Sequence, residues 1–377
     1  MRAVVGLLLL AGCDQLFGID PVPTIDAMSI DAPASDANQE CIGGVLFYVC
    51  YDPATVPATL PASRAIDTTT NAQCTQWRDG APPVCIVIAQ QVDIEDSFRV
   101  VGPNPIAFVS TGDLTVGSTG LIDVSSQGGA ISSPGAGADT GACNTLDGEP
   151  QGMTSNHAGG GAGGSFGGAG GAGGAGSTMT APGQAAPLDE TKLHGGCRGG
   201  AGGTRGSTPA ARGGHGGGAV YLVAKGTIHI AGKVNANAER GYGGMTASAA
   251  EFPGGGGGGA GGMIVLDADS IAVDLDASLV ANGGGAGGGA SGTAQGRDGN
   301  DGTSLGAGGG TGGGSGTSAG GAGGAGSSRA VHNGLPGAAG GALQGGGGGG
   351  GGGAGYIHIY GAHGKSIMAT NVSPPDS

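Results

Sequence analysis

Residues 254–281 read GGGGGGAGGMIVLDADSIAVDLDASLVA, and the switch within them decides the fold. A run of glycines broken only by Ala260 gives way at Met263 to apolar residues alternating with small or polar ones. Ile264-Val265-Leu266, Ile271-Ala272-Val273 and Leu279-Val280-Ala281 each put an apolar residue first and third, the period of two expected of strands. The same three-beat order occurs in three other places. It runs through Ile86–Ile88, Val92–Ile94 and Phe98–Val100, then Ala107–Val109, Leu114–Val116 and Ile122–Val124, then Val220–Leu222, Ile228–Ile230 and Val234–Ala236. A partial fifth copy is Ile357-His358-Ile359. Turn residues such as Thr111-Gly112-Asp113 and Lys225-Gly226 separate the beats.

Three short strands per unit predict an all-β chain: a parallel β-solenoid of about four coils over residues 84–363. Val109, Leu222, Leu266 and Ile359 are expected to form one inward column. His229, His358, Tyr221 and Tyr360 are expected to point outward, as are Asp93 and Asp123. Glycine-rich insertions at 128–218, 239–262 and 284–355 each follow a third strand, so they are expected at one corner of the coil. Two carry an Ala-Gly-Gly period, with Ala169, Ala172 and Ala175 in one and Ala319, Ala322 and Ala325 in the other. A period of three fits a polyproline-II-type helix, so these segments either pack side by side, as in polyglycine II, or serve as flexible linkers. Two glycines per triplet and scarce proline exclude collagen.

With 94 glycines in 377 residues and only 3% aromatics, most of the chain cannot build an ordinary core. A net charge of -14 argues against a nucleic-acid partner and against binding anionic membranes through a basic patch. Seven cysteines are present; setting Cys13 apart leaves Cys41, Cys50, Cys74, Cys85, Cys143 and Cys197. An even set fits a disulfide framework in an oxidising compartment, and chain order suggests pairing each with the next. A metal site is the competing reading, but there is no Cys-x-x-Cys, and only His194 lies near a cysteine.

The N-terminus opens with Arg2, an apolar run from Ala3 to Gly12, and then Cys13. That run is too short to span a bilayer. Leu9-Leu10-Ala11-Gly12-Cys13 resembles the lipobox of bacterial lipoproteins, which implies removal of residues 1–12 and a lipid-modified Cys13. Residues 13–40 read as an acidic tether, with Asp20, Asp26, Asp31 and Asp36 spaced among Pro, Ala and Ser. Residues 41–83 read as a disulfide-stapled cap over the first sheet edge, and 364–377 as a disordered tail. Together these features resemble glycine-rich surface lipoproteins of myxobacterial type, which implies export and anchoring in the cell envelope at the outer membrane or cell surface. Asp14 departs from the usual outer-membrane pattern and leaves the inner membrane open.

Motifs that imitate chemistry fail on context. Gly163-Gly164-Ser165-Phe166-Gly167 and Gly316-Thr317-Ser318-Ala319-Gly320 match a nucleophile elbow but lie inside glycine runs, with no helix following. Gly364-Lys365-Ser366 lacks the earlier glycine of a phosphate loop, since Ile359 stands there. The best cation candidate is Asp298, Asn300 and Asp301, a single acidic turn suited to Ca²⁺, with a solvated turn as the competing reading. No other cofactor and no catalytic residue is expected. The sequence therefore supports a non-enzymatic envelope lipoprotein with a structural or adhesive role. The alternatives are a carbohydrate-active solenoid enzyme or glycan-binding protein, and an ice- or surface-binding glycine-helix protein. The expected partners are the membrane, through the lipid, and a glycan or another cell surface.

Overall fold

A computed structural model describes residues 39–375, except 61–64, 73, 78–82, 130, 140–142, 144–146, 148–156, 176–191, 205–208, 246–250, 293, 305, 311–318 and 342–344. Cys13 and the tether up to residue 38 lie outside the described residues.

The strands are β1 (Glu40–Gly43), β2 (Tyr48–Tyr51), β3 (Ala65–Asp67), β4 (Thr75–Trp77), β5 (Val84–Ala89), β6 (Val92–Ile94), β7 (Ser97–Val101) and β8 (Ile106–Ser110). They continue with β9 (Leu114–Val116), β10 (Leu121–Asp123), β11 (Ala219–Ile230), β12 (Lys233–Asn235), β13 (Met263–Val273), β14 (Ser278–Val280), β15 (Tyr356–Ile367) and β16 (Asn371–Ser373). One sheet has six strands in the order β16-β14-β12-β10-β7-β3, all parallel. A second, of eight strands, runs β15-β13-β11-β8-β5-β4, with β6 and β9 alongside.

These parallel sheets replace the expected solenoid of three-strand coils. In β11, β13 and β15 the first two beats fuse into continuous strands of 12, 11 and 12 residues. Lys225-Gly226, which looked like a turn, is a bulge: the register of β11 against β13 shifts between Ala224 and Thr227, and the chain runs on. The antiparallel pairing of β4 with β5 makes the eight-stranded sheet mixed, and β1 with β2 forms a separate antiparallel hairpin.

The two sheets share one core, in which Val87, Phe108, Leu222, Leu266 and Ile359 stand in register across β5, β8, β11, β13 and β15. Val109, expected in that column, pairs with Val223 instead and faces the opposite side. A slip of one residue reverses the face of a strand.

The outer face of the eight-stranded sheet is also buried. A second core combines Val109, Tyr221, Val223, Met263 and Val265 with Ile42, Phe47 and Val49 of the N-terminal hairpin, and with Phe166, Leu193 and Ala260 from glycine-rich segments. Parallel strands are usually covered on both faces, which explains their near-continuous apolar sequence. The expected cap thus divides: β1–β2 lies on the sheet face, while β3 and β4 extend the edges of the two sheets. Residues 364–375, expected as a disordered tail, instead complete β15 and supply β16, which pairs with β14.

The glycine-rich segments are a packed body in their own right rather than insertions on a coil. Segment 254–262 donates backbone hydrogen bonds in three directions, at every third residue in each. Gly254, Gly257 and Ala260 donate to Gly203, Gly200 and Cys197 at 3.0, 2.9 and 2.8 Å. Gly255, Gly258 and Gly261 donate to Gly347, Gly350 and Gly353 at 2.9, 3.0 and 3.0 Å. Gly256, Gly259 and Gly262 donate to Tyr242, Glu239 and Ala236 at 2.9, 3.0 and 2.8 Å. The carbonyls accept from three further neighbours: Gly161 and Gly164, Gly214 and Gly217, and Gly284 and Gly287. A helix with three residues per turn and no internal hydrogen bonds can satisfy its backbone in this way.

Side-chain size follows from that geometry. A Cβ on Gly257, Gly258 or Gly259 would collide with the carbonyl oxygens of Ala162, Gly284 or His215, whereas the methyl of Ala260 finds room in the second core. Segment 168–174 donates from Gly168, Gly171 and Gly174 to Ala354, Gly351 and Gly348, while the carbonyls of Ala169 and Ala172 accept from Gly334 and Gly337. The alanine at every third residue of such segments meets varied surroundings, with Ala172 buried and Ala169 partly exposed. Ala322 in the equivalent segment 319–327 is exposed.

Candidate functional site

Disulfides join Cys41 to Cys50 within the hairpin, Cys74 to Cys85 at β5, and Cys143 to Cys197 across a separation of 54 residues. They belong to a chain in an oxidising compartment, extracellular or periplasmic. The third is tied directly to the glycine body, because the Cys197 carbonyl accepts from Ala260 at 2.8 Å. Among the described residues no helix is long and apolar enough to cross a membrane.

A cluster of ionisable groups lies where segments 128–139, 212–217, 236–244 and 297–302 meet. Glu239 is fully buried. Its carboxylate accepts from Tyr242 Oη at 2.5 Å, Ser132 Oγ at 2.6 Å and the His215 amide at 3.1 Å. Burial, reinforced by the bond to Glu239, pushes the Tyr242 phenol up to about 12, so it remains a proton donor at neutral pH. Arg212 lies 4.5 Å from the Tyr242 ring centroid. The His215 ring pairs with Asp139, whose second carboxylate oxygen accepts from the Gly216 amide at 3.0 Å. Asp139 holds this place at a φ of 58°, in the left-handed region that few non-glycine residues occupy.

The acidic turn read as a cation candidate joins the same cluster. Asp298 accepts from the Gly243 amide at 2.9 Å, and Asp301 from the Arg240 and Gly128 amides at 3.0 and 3.2 Å. The Arg240 guanidinium lies 3.9 Å from each of the two carboxylates. Asn300 takes part through its backbone, accepting from Gly285 at 2.9 Å. These oxygens hold the turn against segment 240–244, and among the described residues no group of three His, Cys, Asp or Glu is arranged to hold a metal ion. Sequence reading missed Asp139, His215 and Glu239 as a unit, because their separation along the chain carries no motif.

The residues expected to line an outward groove are dispersed. Tyr221 is fully buried and donates to Asp267 at 2.5 Å, beneath Phe47. His358 is buried and stacks on Tyr356, with ring centroids 5.4 Å apart. His229 pairs with Asp274 at 3.1 Å, and Asp123 with Arg99 at 2.9 Å, whereas Asp93 and Tyr360 are exposed. The hairpin covers Tyr221, so these residues do not form one open groove. No family model, curated protein or solved structure matches this chain.

Proposed function

We propose that this chain is the displayed body of a cell-envelope lipoprotein, anchored through Cys13, with a structural or adhesive role and no catalytic one. The observation that carries the reading is segment 254–262, hydrogen-bonded through its backbone to six neighbouring segments and closed to a side chain at Gly257, Gly258 and Gly259. Such a body is stiff and holds its surface in a fixed shape, which suits a spacer or a display scaffold outside the cell. The ionisable cluster at Glu239 supports the same role. Its carboxylates are engaged in pinning segment ends, and its tyrosine is held protonated.

The test is metabolic labelling with radioactive palmitate, combined with protease shaving of intact cells. The reading expects label on the wild-type chain, loss of label with accumulation of precursor in Cys13→Ser, and release of the body by shaving. An unlabelled chain, or a body inaccessible at the surface, would reject it.

A further inference from the structure

The outer face of the six-stranded sheet carries a concave groove that the structural role does not use. Val234 and Leu279 point into the core, so the residues on either side of them, Lys233 and Asn235 on β12 and Ser278 on β14, face outward. Lys233 pairs in register with Ser278, so the two strands form a continuous floor. Asp276, in the turn before β14, and Thr303 also line the cavity. The cavity measures about 420 Å³, within the range of small-ligand sites.

This groove is rigidly framed, and several of its polar side chains are not engaged by the protein. Asn282, fully buried, donates to the Thr303 carbonyl at 2.7 Å, and its amide donates to Asn237 Oδ1 at 3.0 Å, tying two lining residues to one side chain. Among the described residues, the side chains of Lys233, Asn235, Asp276 and Ser278 make no hydrogen bond to the protein. Four polar side chains facing one cavity therefore offer free donors and acceptors: an ammonium, an amide, a carboxylate and a hydroxyl.

We infer that this groove binds a neutral, hydroxyl-rich polysaccharide. A sugar hydroxyl donates and accepts at once, and the groove presents both functions side by side. Lys233 and Asp276 balance in charge, and the net charge of -14 on the chain opposes a polyanion. No aromatic ring lines the cavity among the described residues, so recognition runs through hydrogen bonds to hydroxyls rather than stacking on a sugar face. The inference deepens the adhesive reading by naming its partner. It is tested on purified protein, so failure to bind leaves the anchoring result standing, and loss of anchoring leaves the binding result standing.

The experiment is affinity electrophoresis of the full detergent-solubilised chain through gels containing dextran, laminarin, galactomannan or polygalacturonate. Retardation by at least one of the neutral polymers is expected, weakened tenfold or more in Asn235→Ala and in Asp276→Ala. Asp276 is exposed, so its variant should keep the wild-type melting temperature, separating lost binding from lost folding. Absence of retardation by every neutral polymer, retardation by polygalacturonate alone, or undiminished retardation of either Asn235→Ala or Asp276→Ala would each overturn the assignment.

Discussion

Tyr221 Oη donates to Asp267 Oδ2 across 2.5 Å, beneath the N-terminal hairpin and between two adjacent strands of the larger sheet. The same carboxylate oxygen accepts from the Val45 amide at 3.3 Å, so one acidic group holds sheet and hairpin together. Tyr221→Phe keeps the ring against Phe47 and removes only the donor. The expected cost is about 1.5–3 kcal/mol, typical of a hydrogen bond to a charged group, measured by denaturant unfolding. An unchanged midpoint would assign the join to apolar packing alone.

The Cys143–Cys197 bond should contribute about 2–5 kcal/mol, since it closes a 54-residue separation around chain with little apolar surface to bury. Melting of the Cys143→Ser/Cys197→Ser double variant checks this. The lost stability should coincide with raised protease sensitivity in the segments around 193–203 that Cys197 ties to Ala260.

Alkaline pH should weaken the fold through Tyr242. Its folded-state value, about 12, lies above the ordinary phenol value of 10.0, so the neutral form is favoured in the folded protein. That stability is complete below pH 10 and is lost as pH rises toward 12. Tyr221 acts in the same direction, because burial followed by its bond to Asp267 raises it as well. Absorbance titration of tyrosinate should show a late-titrating group that Tyr242→Phe removes, together with a shallower alkaline loss of stability.

Much of the sheet was legible because strand alternation leaves a period of two, as in Leu114-Thr115-Val116 and Ile228-His229-Ile230. The side of the sheet on which Val109 lies was not. Ile106-Ala107-Phe108-Val109 is apolar throughout because both faces are covered, so alternation gives no phase. Lys225-Gly226 carries turn composition yet forms a bulge, which only the partner strand determines. The Ala-Gly-Gly period announced segments with three residues per turn. Their neighbours could not be read, because backbone groups make the bonds and glycine has no side chain with which to encode a partner. The Glu239 cluster was hidden for a related reason: Ser132, Asp139, His215 and Glu239 meet only after the glycine segments have packed.

Closed faces in the glycine body should tolerate no side chain. Gly258→Ala places a methyl group against the Gly284 carbonyl and should destabilise by about 1–3 kcal/mol, the range for overpacking. Gly364→Ala, where nothing lies within 4 Å of the added carbon, should be close to neutral. Equal effects at the two positions would mean that the segment is not enclosed.

Amide hydrogen exchange across residues 254–262 tests the central claim most directly. Every amide in that segment donates to a named backbone carbonyl, so the account predicts protection comparable to that of β13, which follows it in the chain. Exchange at the rate of an unstructured glycine chain, with β13 still protected, would contradict a hydrogen-bonded glycine core.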